Sequence, residues 1–155
     1  ELDWVLLVAQ AFQESRLGAD TKNSHGAVGI MQIKPASADE AGVDDISTDD
    51  SNIEAGAAYL RLLIDHYFDD ASVGPTTKQI FAIAGYNAGP PRIRNWRRKT
   101  AAAGLDPDQW FDNVEVLVAR EVGRETVRYV SNIMQYYVTF TLMIEDRAIE
   151  DARAP

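Results

Sequence analysis

The segment Ala11-Phe12-Gln13-Glu14-Ser15-Arg16-Leu17-Gly18 joins an apolar helix to a polar crossing. Upstream, Leu2, Val5, Leu6, Val8, Ala9 and Phe12 recur at helical spacing. Downstream, Gly18 and the polar run Asp20 to Ser24 stop that helix. Glu14 is thereby placed near a helix C-terminus, where unpaired carbonyls and the macrodipole disfavour a negative charge. Apolar neighbours disfavour it further. Both effects raise a carboxyl pKa, as a general acid requires. Position alone does not decide the matter, because a Glu ending a buried helix is more often a solvated surface residue.

Outward from this segment the chain is predominantly helical. The crossing carries turn signals at Gly26 and Gly29, and Val28 to Ile33 is short and partly β-branched, predicting one arm of a small hairpin near residues 20–33. Pro35 suits the first turn of a short helix to about Ala41, closed by Gly42. The run Asp44-Asp45-Ile46-Ser47-Thr48-Asp49-Asp50-Ser51 lacks the alternation and central glycine of a calcium loop and reads better as helix caps. Asn52 to Phe68 is amphipathic, with Ile53, Ala57, Leu60, Leu63, Ile64 and Tyr67 on one face. A helix from about Thr76 follows and ends in Gly85-Tyr86-Asn87-Ala88-Gly89-Pro90-Pro91. The next segment is locally basic: Arg92, Arg94, Arg97, Arg98 and Lys99 surround Trp96, as a solvated face or as a patch for an anionic polymer. A helix is expected from Pro107 to about Val122, with Trp110, Val114, Leu117 and Val118 inward. The last long helix begins near Glu125, and its charged end from Glu145 is expected to fray. The fold class expected is mainly α, with at most a small β-hairpin.

With 155 residues and 46% apolar content the chain has the size of one globular domain, expected to span 1–155. A net charge of −9 argues against general nucleic-acid binding. Without cysteine, neither a disulfide framework nor a thiolate metal site is available. His25 and His66 are the only histidines and have no ligand-spaced partner, so neither metal nor cofactor is expected. No apolar run approaches the length of a membrane span, and no signal peptide is seen. The chain opens in helix without a start methionine, which leads us to expect a domain of a longer protein.

Four polar islands interrupt the apolar framework: Glu14-Ser15, Gly29 to Gln32, Tyr86 to Gly89, and Glu125-Thr126-Val127-Arg128-Tyr129. Each falls at a helix end or in a loop, where a scaffold presents side chains to a cleft. Tyr and Met offer flat apolar contact to sugar faces, and Gln and Asn offer paired donors and acceptors for hydroxyl and acetamido groups. No Ser-His-Asp constellation, Walker loop or dinucleotide fingerprint is present.

Taken together, Glu14-Ser15, Gly29-Ile30-Met31-Gln32, Gly85-Tyr86-Asn87-Ala88-Gly89 and Glu125-Thr126-Val127-Arg128-Tyr129-Val130 resemble the ordered motifs of the bacterial lytic murein transglycosylases. These are the soluble-lytic-transglycosylase, or goose-lysozyme-like, catalytic domains. The opening from Asp3-Trp4 to Glu14-Ser15 also resembles the membrane-bound F-type enzymes, which carry a further domain upstream. Gly85 departs from the family's usual Ala at that position, which is expected to loosen the helix end.

The resemblance implies a lysozyme-like α fold. It also implies cleavage of the β-1,4 bond between N-acetylmuramic acid and N-acetylglucosamine, with formation of a 1,6-anhydro product. Glu14 would be the sole catalytic carboxyl, acting as acid and then as base. Ser15 would orient Glu14 or the sugar, and Tyr129 would hydrogen-bond near the acid. Met31 and Gln32 would line the donor sugar, with Tyr86 and Asn87 facing the same groove, and Glu125 would be a supporting hydrogen-bonding residue. The implied partner is the peptidoglycan glycan strand, met by a monomer that needs no membrane contact of its own. The implied location is the periplasm, with an outer-membrane anchor supplied by a segment outside this chain. The alternatives are a goose-type lysozyme that uses water as acceptor and a non-catalytic peptidoglycan-binding domain.

Overall fold

The computed structural model describes residues 2–19 and 26–153. Of the expected crossing from Asp20 to Val28, residues 20–25, His25 among them, lie outside the described residues. Seven α-helices and no strand occur among the described residues: α1 (Trp4–Ser15), α2 (Pro35–Glu40), α3 (Asp49–Tyr67), α4 (Pro75–Ala88), α5 (Pro90–Ala102), α6 (Glu115–Val122) and α7 (Glu125–Arg153). The mainly α expectation holds. Of the hairpin, the described residues hold a single closure, in which Val28 and Ile33 exchange backbone hydrogen bonds of 3.1 and 3.2 Å across the turn at Gly29 to Gln32.

The core is built around α4. Ile80, Phe81, Ala82, Ile83, Ala84 and Gly85 are six consecutive buried residues, so this helix is covered on every side, as its nearly uninterrupted apolar run requires. α3, α5 and α7 pack around it, and α7 also packs along α1. α4 hands over to α5 at Gly89, whose φ of 89° breaks the helix before Pro90 starts the next one. Gly85 does not loosen this helix end. A Cβ built there would stand 3.2 Å from the buried Phe68 ring, so the missing methyl lets that ring close on α4.

The acidic run before α3 caps it. The Thr48 hydroxyl accepts from the Ser51 N–H at 3.1 Å and the Ser51 hydroxyl accepts from the Thr48 N–H at 3.2 Å, with Asp49 and Asp50 in the first turn. The buried face of α3 is rotated from the expected one. Asn52, Ala55, Gly56, Tyr59, Leu60 and Leu63 are buried, whereas Ile53, Ala57, Ile64 and Tyr67 are only partly so. The rotation follows from what α3 must accommodate, as the next subsection shows.

Two further expectations need correction. The helix expected from Pro107 begins only at Glu115. Before it, Phe111 is extended and Asp112 left-handed (φ 60°), a wide turn that buries Trp110 and Val114. The Asn113 side chain stabilises this turn by accepting from Asp106 N–H and donating to Phe111 O. At the other end, α7 continues through Arg153, exposed throughout its final turns, with an Arg147–Asp151 pair at 3.3 Å.

The basic segment on α5 is neither wholly a solvated face nor a free patch. Arg97, only 12% exposed at its side chain, binds Asp70 and Asp108 at 2.5 Å each, donates to Pro107 O at 2.9 Å and lies over the Phe81 ring. Lys99 pairs with Glu121 at 2.7 Å. Arg92, Arg94 and Arg98 remain exposed.

Candidate active site

Glu14 sits in the last turn of α1, which ends because Arg16 and Leu17 turn left-handed (φ 57° and 62°). The Arg16 side chain holds that exit by lying against the Phe12 and Tyr136 rings and donating to the Tyr136 hydroxyl at 2.9 Å. α7 supplies the opposite wall. The Tyr129 hydroxyl donates a short hydrogen bond to Glu14 Oε1, and one turn on, Asn132 Nδ2 donates to Gln13 Oε1 at 3.2 Å. Burial pushes the Glu14 carboxyl up from 4.5 to about 7, against the opposing effect of the Tyr129 hydrogen bond. The charge is thus disfavoured by the desolvation expected from apolar neighbours, and the phenol keeps the ionised form accessible.

The loop from Gly29 to Gln32 lies beside this pair and is held from three directions. The Ser15 hydroxyl donates to Ile30 O at 2.8 Å, so Ser15 ties the loop to α1 rather than touching Glu14. The Tyr86 hydroxyl donates to Met31 O at 2.9 Å from the end of α4. From α3, Asn52 Oδ1 accepts from Met31 N–H at 2.9 Å and its Nδ2 donates to Val28 O at 3.0 Å. Asn52 also explains the glycine at position 29, since any Cβ there would stand 2.4 Å from its amide. Gly56, one turn along, leaves room for the Met31 side chain, against which a Cβ would lie at 2.6 Å. This is why α3 turns Asn52 and Gly56 inward.

The expectation that Met31 lines a sugar site is corrected. Its side chain is fully buried against Gly56, and what it offers the site is the carbonyl that orients Tyr86. Gln32, nearly buried in a left-handed conformation (φ 44°), donates to Gly29 O at 2.9 Å and lines a groove. That groove, about 570 Å³, is also bounded by Ile33, Tyr59, Tyr86, exposed Asn87 and Gly89. Asn87 Oδ1 accepts from the Thr126 hydroxyl at 3.0 Å, joining the ends of α4 and α7. Glu125, next to Thr126, is exposed and makes no hydrogen bond among those of the described residues, so its expected supporting contact is not found. Its neighbour Thr126 makes that connection instead.

Thus Glu14 and Tyr129 stand in direct contact, Ser15, Met31 and Tyr86 converge on one loop, and Gln32, Tyr86 and Asn87 share one groove. No role was assigned from sequence to Asn52, Gln13 or Asn132, and none to Thr126 beyond its place in the fourth island. Asn52 had a signal: with Gly56 it is one turn apart on an otherwise apolar face. No group of three or more potential metal ligands is found among the described residues, and the site's side chains are not a metal donor set.

The sequence profile of the transglycosylase SLT domain matches residues 1–108. The membrane-bound lytic murein transglycosylase F of Desulfosudis oleivorans is 36% identical over 148 residues, a match covering 87% of this chain and 32% of that protein. The corresponding protein of Maricaulis maris is 35% identical, over 86% of this chain and 32% of its own length. The chain therefore spans about a third of the length of these curated relatives. Among solved structures, the 70 kDa soluble lytic transglycosylase of Escherichia coli superimposes with a TM-score of 0.70 at 27% identity, covering 93% of this chain and 22% of that one. An inactive Glu→Gln variant of the lytic transglycosylase Slt of Pseudomonas aeruginosa gives the same TM-score, 0.70, at 26% identity over 93% of this chain and 22% of its own. The helical scaffold, the loop pinned at Gly29 to Gln32 and the matched profile agree: this chain belongs to the transglycosylase SLT domain family.

Proposed function

We propose that this domain is a peptidoglycan lytic transglycosylase that cleaves the β-1,4 bond between N-acetylmuramic acid and N-acetylglucosamine, with Glu14 as both acid and base. The observation that carries the reading is a buried carboxyl poised at about 7, hydrogen-bonded by a neutral phenol. Near neutrality such a group is present in both protonation states, so one residue can give a proton and take one back. Protonated Glu14 donates to the glycosidic oxygen as its bond to the anomeric carbon breaks, releasing the N-acetylglucosamine end. The carboxylate left behind is stabilised by the Tyr129 O–H. It then takes the proton of the muramoyl C6 hydroxyl while that oxygen bonds to the anomeric carbon, restoring the acid and closing the 1,6-anhydro ring. No water is consumed and no second carboxyl is required, unlike the two-carboxylate glycosidases. An acceptor within the substrate enjoys a high effective concentration, which favours it over solvent.

The groove through Gln32, Tyr86 and Asn87 suits a glycan strand, offering aromatic surface and amide groups, and its Tyr86 is near enough to Glu14 to feel that carboxyl's charge. Peptidoglycan lies in the periplasm, the compartment this reading assigns; no helix among the described residues is long and apolar enough to cross a membrane. The test is digestion of purified sacculi in heavy-oxygen water. The expected muropeptides end in unlabelled 1,6-anhydromuramic acid, lighter by one water than hydrolytic products. Label at most new muramoyl ends makes the domain a lysozyme, and no release at all makes it a binding domain.

A further inference from the structure

The groove that suits the glycan strand carries a charge the mechanism above does not use. Two of its lining residues are cations: Lys34, just before α2, and Arg92, in the first turn of α5. No carboxylate among the described residues lines it. Both cationic side chains are exposed, and among the described residues neither makes a hydrogen bond or an ion pair. Arg61, Lys78, Arg97 and Lys99, by contrast, each hold a carboxylate. Glu40, whose charge reaches Tyr59 on the groove wall, pairs with neither Lys34 nor Arg92. Past Pro91, which borders both, a second groove of about 580 Å³ presents Arg94 and Arg98. Its two carboxylates, Asp70 and Asp108, are already taken by Arg97. All this occurs in a chain with 24 acidic and 15 basic residues, where the groove at Gly29 and Asn52 is lined by Asp44, Asp45 and Asp49 and by no described cation. Cations gathered without counter-charges make one groove of an acidic protein locally positive, and such a groove draws anions.

We propose that Lys34 and Arg92 form a carboxylate-binding rim of this groove, which takes the peptide carried by the muramoyl residues of the strand. The proposal rests on the function inferred for Glu14. A muramoyl residue differs from N-acetylglucosamine by a lactyl ether, through whose carboxyl the peptide is attached, and the peptide itself ends in a free carboxylate. Neutral sugars offer a cation no counter-charge, whereas a strand bearing such peptides is a polyanion. The Arg92 guanidinium can take a carboxylate through two parallel N–H···O bonds, and Lys34 adds a second point charge. Protein and strand have the same sign overall, and the rim supplies the local attraction that lets them meet in register. Contacts to the peptide, rather than to the bond being broken, hold substrate and transition state alike and therefore act on KM rather than on kcat.

The test compares two soluble substrates: glycan strands carrying uncross-linked peptides, and the same strands with their carboxylates converted to neutral methylamides. The wild-type domain is expected to show a KM about 3- to 10-fold lower on the carboxylate strands, with equal kcat, and to lose this preference at high salt. Lys34→Gln/Arg92→Gln should have the same KM on both substrates and an unchanged kcat, each single variant falling between. Arg153→Gln, which removes an exposed cation at the end of α7, should keep the wild-type preference. The Tm of the double variant should stay level, because two exposed and unpaired side chains are changed. No preference in the wild type, a preference retained in the double variant, a kcat lowered equally on both substrates or a fall in Tm would each overturn the proposal. Because the preference is read from KM, it is measured in the same way whether the new ends are anhydro or hydrolytic. If the wild-type domain cleaves neither substrate, the function proposed for Glu14 falls and this inference with it. Cleavage without preference overturns this inference alone.

Discussion

Arg97 and Glu14 are both largely withdrawn from water, and they are treated in opposite ways. Arg97, on α5, meets two carboxylates, a backbone carbonyl and an aromatic face. Asp108 responds accordingly: the Ser72 hydroxyl first, and Arg97 after it, hold its carboxyl below the ordinary value despite some burial. Glu14, on α1, meets a phenol and, among the described residues, no cation, and its proton is held to about 7. A buried charge that is fully answered serves the fold. One answered only by a neutral donor keeps its proton mobile, which a structural ion pair has no need to do.

The sharpest way to break this comparison is at Glu14. Glu14→Gln is expected to reduce turnover on sacculi by at least about 100-fold, the scale of a lost general acid, while leaving the circular dichroism spectrum intact. The same variant tests the electrostatics. A carboxyl raised in the folded state binds its proton more tightly there than in the unfolded chain. The wild-type domain should therefore be most stable below pH 4.5 with respect to this group, lose stability as pH rises from 4.5 to about 7, and change no further above that. At 1.36 kcal/mol per pKa unit the loss is roughly 3 kcal/mol, and it should vanish in Glu14→Gln when urea unfolding is followed against pH. An unchanged slope would mean that Glu14 is solvated.

Arg97→Ala should do the reverse, lowering stability by about 1–3 kcal/mol because its carboxylate partners are partly exposed and recover some hydration. Turnover per folded molecule should be unaltered, read from activity at a temperature well below the Tm. A specific loss of activity there would move Arg97 into the glycan site. The mildest of the three is Asn52→Ala, which strips Met31 N–H and Val28 O of their partner and should cost about 1–2 kcal/mol. Because that loop carries Gln32 and orients Tyr86, a several-fold fall in kcat/KM should accompany it. Stability lost with full activity would show that the loop tolerates displacement.

The helical class, most helix positions and a carboxyl with a raised pKa at Glu14 were legible in the sequence, because period, glycine and proline stops, and a Glu at an apolar helix end are all local signals. Three things were not. The Met31 side chain was expected at the sugar because Met suits apolar contact, but whether it faces inward depends on Gly56, 25 positions away. The rotation of α3 follows from Asn52, whose polar side chain counts against burial until the loop it holds is known. Charge along α5 suggested one surface, yet Arg97 answers Asp70 and Asp108, which only the tertiary fold brings together.

The Glu14–Tyr129 hydrogen bond joins positions 115 apart in the chain, and Arg16–Tyr136 and Asp3–Tyr137 span 120 and 134. Contacts this distant in sequence close only after the intervening chain has been confined, and that confinement is slow. α4 can gather α3 and α5 from nearby sequence, but the wall opposite Glu14 comes from α7, which follows the other six helices in chain order. A domain not yet joined by α7 therefore holds the Glu14 carboxyl closer to water and to its ordinary acidity, and the raised carboxyl is among the last features the folding domain acquires.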